Sequence, residues 1–301
     1  MFDSIPDVVD VRVHRGPDAD ADAPPTVFIE LPHGATRAHH YHDLRAQLHG
    51  PFPENLEHFF FVNTDVGSPE CGAALAEAVV AARPDAVVLT LCCQIPRTFI
   101  DCNRVIKDAP PQTSPTDITP GLPPYIRNPQ DEALLLDRYA AYQRLAAKAF
   151  AATYANDGLA VMLHTFAPRS VGVQVDDDIV TSLHAAYAPD VFSTWPQRPA
   201  VDIICKAPEG EMYAPLKLIE DLVDRFSAID VQATLSQTYP LHPASTAAHR
   251  AMAHPNNSLC IEFRRDLLVT PFTPFQEMIP ARERVQRMTA PLADAVIAWL
   301  P

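Results

Sequence analysis

The sequence predicts an α/β fold: three layers, α/β/α, built on a mixed, mostly parallel central sheet. Two patterns carry that expectation. Short apolar, β-rich runs alternate with segments of helical periodicity along most of the chain. Runs such as AVVLTL (86–91) and LAVMLH (159–164) are apolar almost without interruption, as strands covered on both faces are. The chain has 301 residues, 48% of them hydrophobic, which is enough to fill such a core as one domain spanning 1–301.

The elements follow in order. Residues 1–25 read as an N-terminal strand and an acidic turn, the turn being the ADADA stretch at 19–23. TVFIEL (26–31) is a strand closed by Pro32, and EHFFFVN (57–63) reads as a second. Residues 68–83 read as a helix, with Ser68 as cap, Pro69 in its first turn and alanines inside. Strands at 86–91 and 97–101 (RTFID) come next. Residues 105–129 carry so many of the 31 prolines that neither a helix nor a central strand can form, which predicts a long irregular loop. A helix over 130–155 has Leu135, Tyr139, Tyr142 and Ala146 at helical spacing, and Asn156-Asp157-Gly158 turns the chain into the strand 159–164. Strands at 200–204, 230–235 and 258–264 and helices at 212–227 and 280–299 complete the pattern.

Composition excludes several function classes. The 23 basic residues against 37 acidic ones give a net charge of −14, and no Lys/Arg cluster is present to displace phosphate counterions, so no nucleic-acid partner is expected. No stretch approaches the ~20 apolar residues that span a bilayer. The N-terminus lacks a basic segment followed by an apolar one, so a cytoplasmic protein is expected. The six cysteines include no CxxC pair and read as buried thiols rather than as a metal site or disulfide framework.

Functional groups of open α/β sheets gather at the carboxyl ends of strands. His33, Asp65 and His164 each stand at or just beyond a predicted strand end. Two imidazoles and a carboxylate suit a divalent, zinc-like ion with one position open. Singly, each has a plainer role: a strand-end histidine can be a structural hydrogen-bonder, and Asp65 can cap the helix near 68. Glu262 lies in the apolar run SLCIEFR, either as a general base whose pKa burial raises or as a partner for Arg264 on the same face. RTFIDCNR (97–104) offers Arg97 and Arg104 for capture of a carboxylate, with Asp101 and Asn103 placed to fix Arg104, or else surface ion pairs.

In chain order, ELPHGATR (30–37), NTDVGSPECGAALAEAV (63–79), VVLTLCCQIPRTFIDCNR (87–104), LDRYAAYQRLAAKAF (136–150), VMLHTFAPR (161–169) and LCIEFRRDLL (259–268) resemble the N-formylglutamate amidohydrolase family. That family is similar to the zinc carboxypeptidases and aspartoacylases. The resemblance implies a zinc-peptidase-like fold and one Zn2+ on His33, Asp65 and His164. It implies Glu262 as catalytic base and Arg104 as the group orienting a small-molecule substrate with a carboxylate. Arg97, Asn103 and His249 would be further substrate contacts. The Pro-rich segment 105–129 would be an active-site loop lining the substrate pocket. The implied reaction is hydrolysis of an N-acyl amino acid by metal-activated water. Arginines 37, 97, 104, 127 and 169 are candidates to make the pocket positive. The stretch 237–250 lacks the family's glycines, and Gln143 stands where the family has histidine. Two rivals remain on residue grounds: a cysteine hydrolase using Cys92, Cys93 or Cys102, and a non-catalytic binding or scaffolding protein that keeps the fold.

Overall fold

The computed structural model describes residues 2–106 and 118–301. Residues 107–117, the middle of the expected Pro-rich loop, lie outside the described residues. Seven strands form one sheet: β1 (Val9–Arg15), β2 (Val27–Leu31), β3 (Val87–Cys93), β4 (Leu159–Phe166), β5 (Val201–Ile203), β6 (Ala233–Leu235) and β7 (Ser258–Arg264). Their order is β1-β3-β2-β4-β7-β5-β6. The centre, β3, β2, β4 and β7, is parallel; β1 is antiparallel to β3, and β5 to β7. The sheet is therefore mixed and mostly parallel, and helices cover both faces.

One face is covered by α1 (Ala38–Arg45), α2 (Leu56–Asn63), α4 (Pro129–Tyr154), α5 (Ile179–Ala186) and α8 (Thr246–Ala253). The other is covered by α3 (Ser68–Ala82), α7 (Leu216–Ser227) and α9 (Arg282–Trp299). A single turn, α6 (Pro189–Phe192), lies in the loop after α5. Alternation along each strand assigns the side chains. Val27, Ile29, Leu31, Val161 and Leu163 point to the α3/α9 face. Phe28, Ala160, Met162 and Cys260 point to the α4 face. His164 and Glu262, paired across β4 and β7, share parity with Met162 and Cys260. The crossover into β3 ends through α3 on one face and that into β4 through α4 on the other. The carboxyl ends of β2 and β4 consequently open a crevice between them.

Two expected strands are corrected. Residues 57–63 belong to α2, because Leu56, Phe59 and Phe60 recur at helical spacing and all bury, Phe60 lying 5.5 Å from the Tyr41 ring. A run of aromatics favours strands by local propensity, and helix packing overrides it here. Residues 97–101 form turns without a sheet partner, Phe99 N–H donating back to the Pro96 carbonyl at 2.9 Å. The stretch 237–250 is loop only in its first half. Ser245 then caps α8, its hydroxyl accepting from Ala248 N–H at 3.2 Å. The helix expected over 212–227 starts later, at Leu216 after Pro215.

One buried side chain shapes the loop that closes the crevice. Asp202 of β5 is fully buried. It accepts from the Thr234 hydroxyl at 2.8 Å, Gln237 N–H at 3.1 Å and Thr238 N–H at 2.6 Å. Asp202→Ala leaves those donors without a carboxylate, and the cost is about 3 kcal/mol. Thermal unfolding should show a Tm fall of roughly 6–12 °C; an unchanged Tm would contradict this account of the loop.

Candidate metal centre

His33 follows β2 through Pro32, and Gly34 lets the chain leave closely against β3: a Cβ on Gly34 would sit 2.3 Å from the Cys92 Sγ. His164 lies inside β4. Asp65 is in the turn between α2 and α3, not at a strand end. The cap of α3 is Gly67, at φ +93°, and no side chain accepts there, so the Asp65 carboxylate is left to face the imidazoles. The turn is pinned on both sides. The Thr64 hydroxyl donates to the Ala35 carbonyl at 2.7 Å, and the Thr165 hydroxyl to the Val66 carbonyl at 3.0 Å.

The three side chains converge. Asp65 Oδ2 lies 3.2 Å from His33 Nδ1 and 3.1 Å from His164 Nδ1, and all three residues are buried. Their ligand atoms fall within 4.8 Å of one another, a group that could hold a metal ion. The backs of the rings differ. His33 Nε2 is 2.7 Å from Asp101 Oδ1, so this carboxylate can hold the ring with its proton on Nε2 and its Nδ1 lone pair turned inward. His164 Nε2 is buried with no hydrogen-bond partner among the described residues. Burial alone would raise the Asp65 pKa, but His33 and His164 hold it well below the usual carboxylate range. A carboxylate and two inward-facing imidazole nitrogens, one backed by a second carboxylate, fit a divalent ion chemically.

Arginines surround this group. Arg265 Nη2 is 3.2 Å from Asp65 Oδ1 and also donates to the Thr165 carbonyl at 3.0 Å; its Nη1 donates to the Val62 carbonyl at 2.5 Å. Arg97 donates to Asp101 Oδ2 at 2.8 Å and lies 3.6 Å from Asp65. Arg104 is spent locally, donating to the Thr119 carbonyl at 3.1 Å, the Thr119 hydroxyl at 3.3 Å and the Asn103 carbonyl at 3.1 Å. Burial raises the Glu262 pKa against the pull of His164, Arg198 and Arg97, with Asp65 adding to the rise. Arg264 pairs with Asp266 at 2.8 Å rather than with Glu262, which leaves that carboxylate facing the crevice.

These groups line one cavity of about 550 Å³. Ile118, Thr119, Pro120 and Pro123, the described flank of the Pro-rich segment, form part of its wall. Of the five arginines expected to make the pocket positive, 97, 104 and 169 line it. Arg37 instead pairs with Glu70 at 2.6 Å, and Arg127 pairs with Asp177 outside the cavity. Two arginines join that the sequence did not single out, Arg198 and Arg265. Asn103 lines the cavity, but its Oδ1 accepts from Thr246 Oγ1 and Ala247 N–H, each at 3.0 Å, and so caps α8. His249 is corrected: it is exposed on α8, outside the cavity, with Nε2 2.6 Å from the Pro243 carbonyl. Gln143 donates to the Cys102 carbonyl at 2.6 Å and does not line the cavity.

By sequence, no family model and no curated protein matches the chain. By structure, it is similar to gene product Atu2144 from Agrobacterium tumefaciens, with a TM-score of 0.56 at 16% identity over 97% of this chain and 94% of that one. It is also similar to N-formylglutamate amidohydrolase from Ralstonia eutropha JMP134, with a TM-score of 0.51 at 15% identity over 97% of this chain and 96% of that one. The chain thus has the amidohydrolase's fold over nearly its whole length.

Asp101 offers a test of how His33 is held. Asp101→Asn keeps the size of the side chain but removes the charge facing Nε2, and divalent-metal affinity should drop about 10–100-fold. A metal titration giving the wild-type affinity would show that Asp101 does not orient the ring.

Proposed function

We propose that the protein is a zinc-dependent amidohydrolase that cleaves the amide of a small N-acyl amino acid, with N-formylglutamate the first substrate to test. The observation that carries this reading is that His33, His164 and Asp65 bring ligand atoms within 4.8 Å of one another in a cavity that Glu262 also lines. His33, Asp65 and His164 would hold the ion, and the two-nitrogen, one-oxygen donor set favours zinc over the all-oxygen sites of magnesium or calcium. Zinc bound there supplies Lewis acidity and makes a water molecule a competent nucleophile at neutral pH.

The chain's own groups do the rest. Glu262 carries its carboxylate into a buried setting that raises its proton affinity. It can accept the proton of the attacking water and deliver it to the departing amine nitrogen as the acyl C–N bond breaks. Arg97 and Arg265 hold the Asp65 and Asp101 carboxylates in place, so neither aspartate drifts when substrate enters. Cavity arginines also give an anionic substrate a favourable field inside a protein of net charge −14. The amidohydrolase fold supports the reaction class. No helix of the described residues is long and apolar enough to cross a membrane. A cytoplasmic setting suits six free cysteines.

The thiol alternative meets an electrostatic obstacle. Burial pushes the Cys92 pKa up to about 12 and raises that of Cys102 well above the usual thiol value, the reverse of an activated nucleophile. Two outcomes follow. Chelation should abolish turnover and zinc should restore it, while a thiol alkylator leaves the rate unchanged; the opposite pattern would move the chemistry to a cysteine. Glu262→Gln should lower kcat by roughly 10²–10⁴-fold while zinc content stays stoichiometric. Retained turnover in that variant would remove Glu262 from the reaction, and a binding protein without catalysis would show no turnover in the wild type either.

A further inference from the structure

Among the described residues, five arginines, 97, 104, 169, 198 and 265, line the cavity against three carboxylates, Asp65, Asp101 and Glu262. An arginine has five N–H donors, and how many are already used separates structural guanidiniums from available ones. Arg265 and Arg97 are committed to Asp65, Asp101 and main-chain carbonyls. Arg104 makes three hydrogen bonds to Thr119 and Asn103 and lies 3.8 Å from Asp101. Arg198 makes one, from Nε to the Ser170 hydroxyl at 3.1 Å. Its Nη1 and Nη2 have neither a hydrogen-bond acceptor nor a carboxylate partner among the described residues.

The guanidinium is nevertheless held. Its Cζ lies 5.3 Å from the Phe166 ring centroid and 5.1 Å from that of Tyr239, so aromatic rings contact it from both β4 and the loop that Asp202 fixes. The backbone beneath is stitched to the loop after β4. Arg198 N–H donates to the Pro168 carbonyl at 3.0 Å, and Ser170 N–H to the Pro196 carbonyl at 2.9 Å. Arg169 enters the cavity from the same corner, also without a carboxylate partner among the described residues; its one hydrogen bond goes to the Trp195 carbonyl at 2.6 Å. Arg198 is close enough to Glu262 to oppose the rise of that group's pKa. A planar cation set over two rings, with its terminal nitrogens unclaimed among the described residues and a base nearby, is built to receive a planar anion.

We infer that Arg198, set over the Phe166 and Tyr239 rings and assisted by Arg169, receives a carboxylate of the substrate, while Arg104 serves to position the Thr119 segment of the wall. The assignment rests on the hydrolase reading for the word substrate, but the anion site itself does not need turnover. It makes the favoured ligands small carboxylates, dicarboxylates above all, and gives their uncharged amides no hold at this corner.

Glutarate and its diamide serve as probes, titrated calorimetrically into the zinc-loaded protein beside N-formylglutamate turnover. Wild type should bind glutarate and not the diamide. Arg198→Gln should weaken glutarate roughly 10–100-fold and raise the KM for N-formylglutamate by a similar factor, with kcat changed far less. Arg198→Lys, which keeps the charge and loses the planar fork, should fall between the two. Arg127→Gln, the same charge change at an exposed site outside the cavity, should match wild type. Unchanged Tm values establish that each variant is folded. Glutarate binding that Arg198→Gln does not weaken beyond Arg127→Gln, or no glutarate binding by wild type, would overturn the assignment. Arg198-dependent glutarate binding without turnover of any N-acyl amino acid would sustain the anion site and sink the hydrolase reading alone.

Discussion

The site is organised around one buried charge, the carboxylate of Asp65. At 2% exposure it would be costly to bury alone, since an unpaired carboxylate away from water loses most of its solvation. Two imidazoles, the Thr165 N–H and the Arg265 guanidinium share that charge instead. Arg265, itself 3% exposed, also bonds the Val62 and Thr165 carbonyls, so the same residue that balances Asp65 ties the end of α2 to β4. Breaking a buried pair of this kind typically costs ~3–5 kcal/mol because the remaining charge stays buried. Chemistry and architecture are therefore linked: the carboxylate that completes the donor set is also the one that locks α2, α3 and β4 together.

From that centre, charge alternates outward. The His33, Asp65 and His164 donors suit a cation, and Asp101 stands behind His33 as a second carboxylate. Outside them lie Arg97 and Arg265, which neutralise the aspartates, and at the rim Arg198 and Arg169, which no described acid neutralises. Among its described residues, a chain of net charge −14 thus presents a cavity with more guanidiniums than carboxylates. The aggregate charge governs long-range solubility, whereas the few arginines within reach of a ligand govern what enters.

Some of this was legible in the sequence. His33, His164 and Glu262 stand on or directly after apolar strands, and strand ends in a parallel sheet are where polar groups gather. Asp65 was singled out by a mistaken route: the run before it is a helix, and what exposes its carboxylate to the imidazoles is the Gly67-capped turn after that helix. In the sequence Arg265 is only the residue after Arg264, at the end of β7. Its role depends on Asp65, two hundred residues earlier, and no local pattern records such a contact. The same holds for Asp101 behind His33, and for Arg198, which gains meaning only from rings at 166 and 239 and from what the other arginines already bond. Periodicity predicts elements; donor accounting among residues distant in sequence needs the fold. His249 failed for a related reason: capping by Ser245 makes its segment a helix and turns it toward solvent.

The central claim is that one divalent ion sits between His33, Asp65 and His164. Anomalous diffraction from zinc-soaked crystals, collected on both sides of the zinc absorption edge, tests it most directly. The account predicts one strong peak within bonding distance of His33 Nδ1, His164 Nδ1 and Asp65 Oδ2, with Glu262 facing it and making no bond to it. A peak held by other side chains, or no peak at this position in fully soaked crystals, would contradict it.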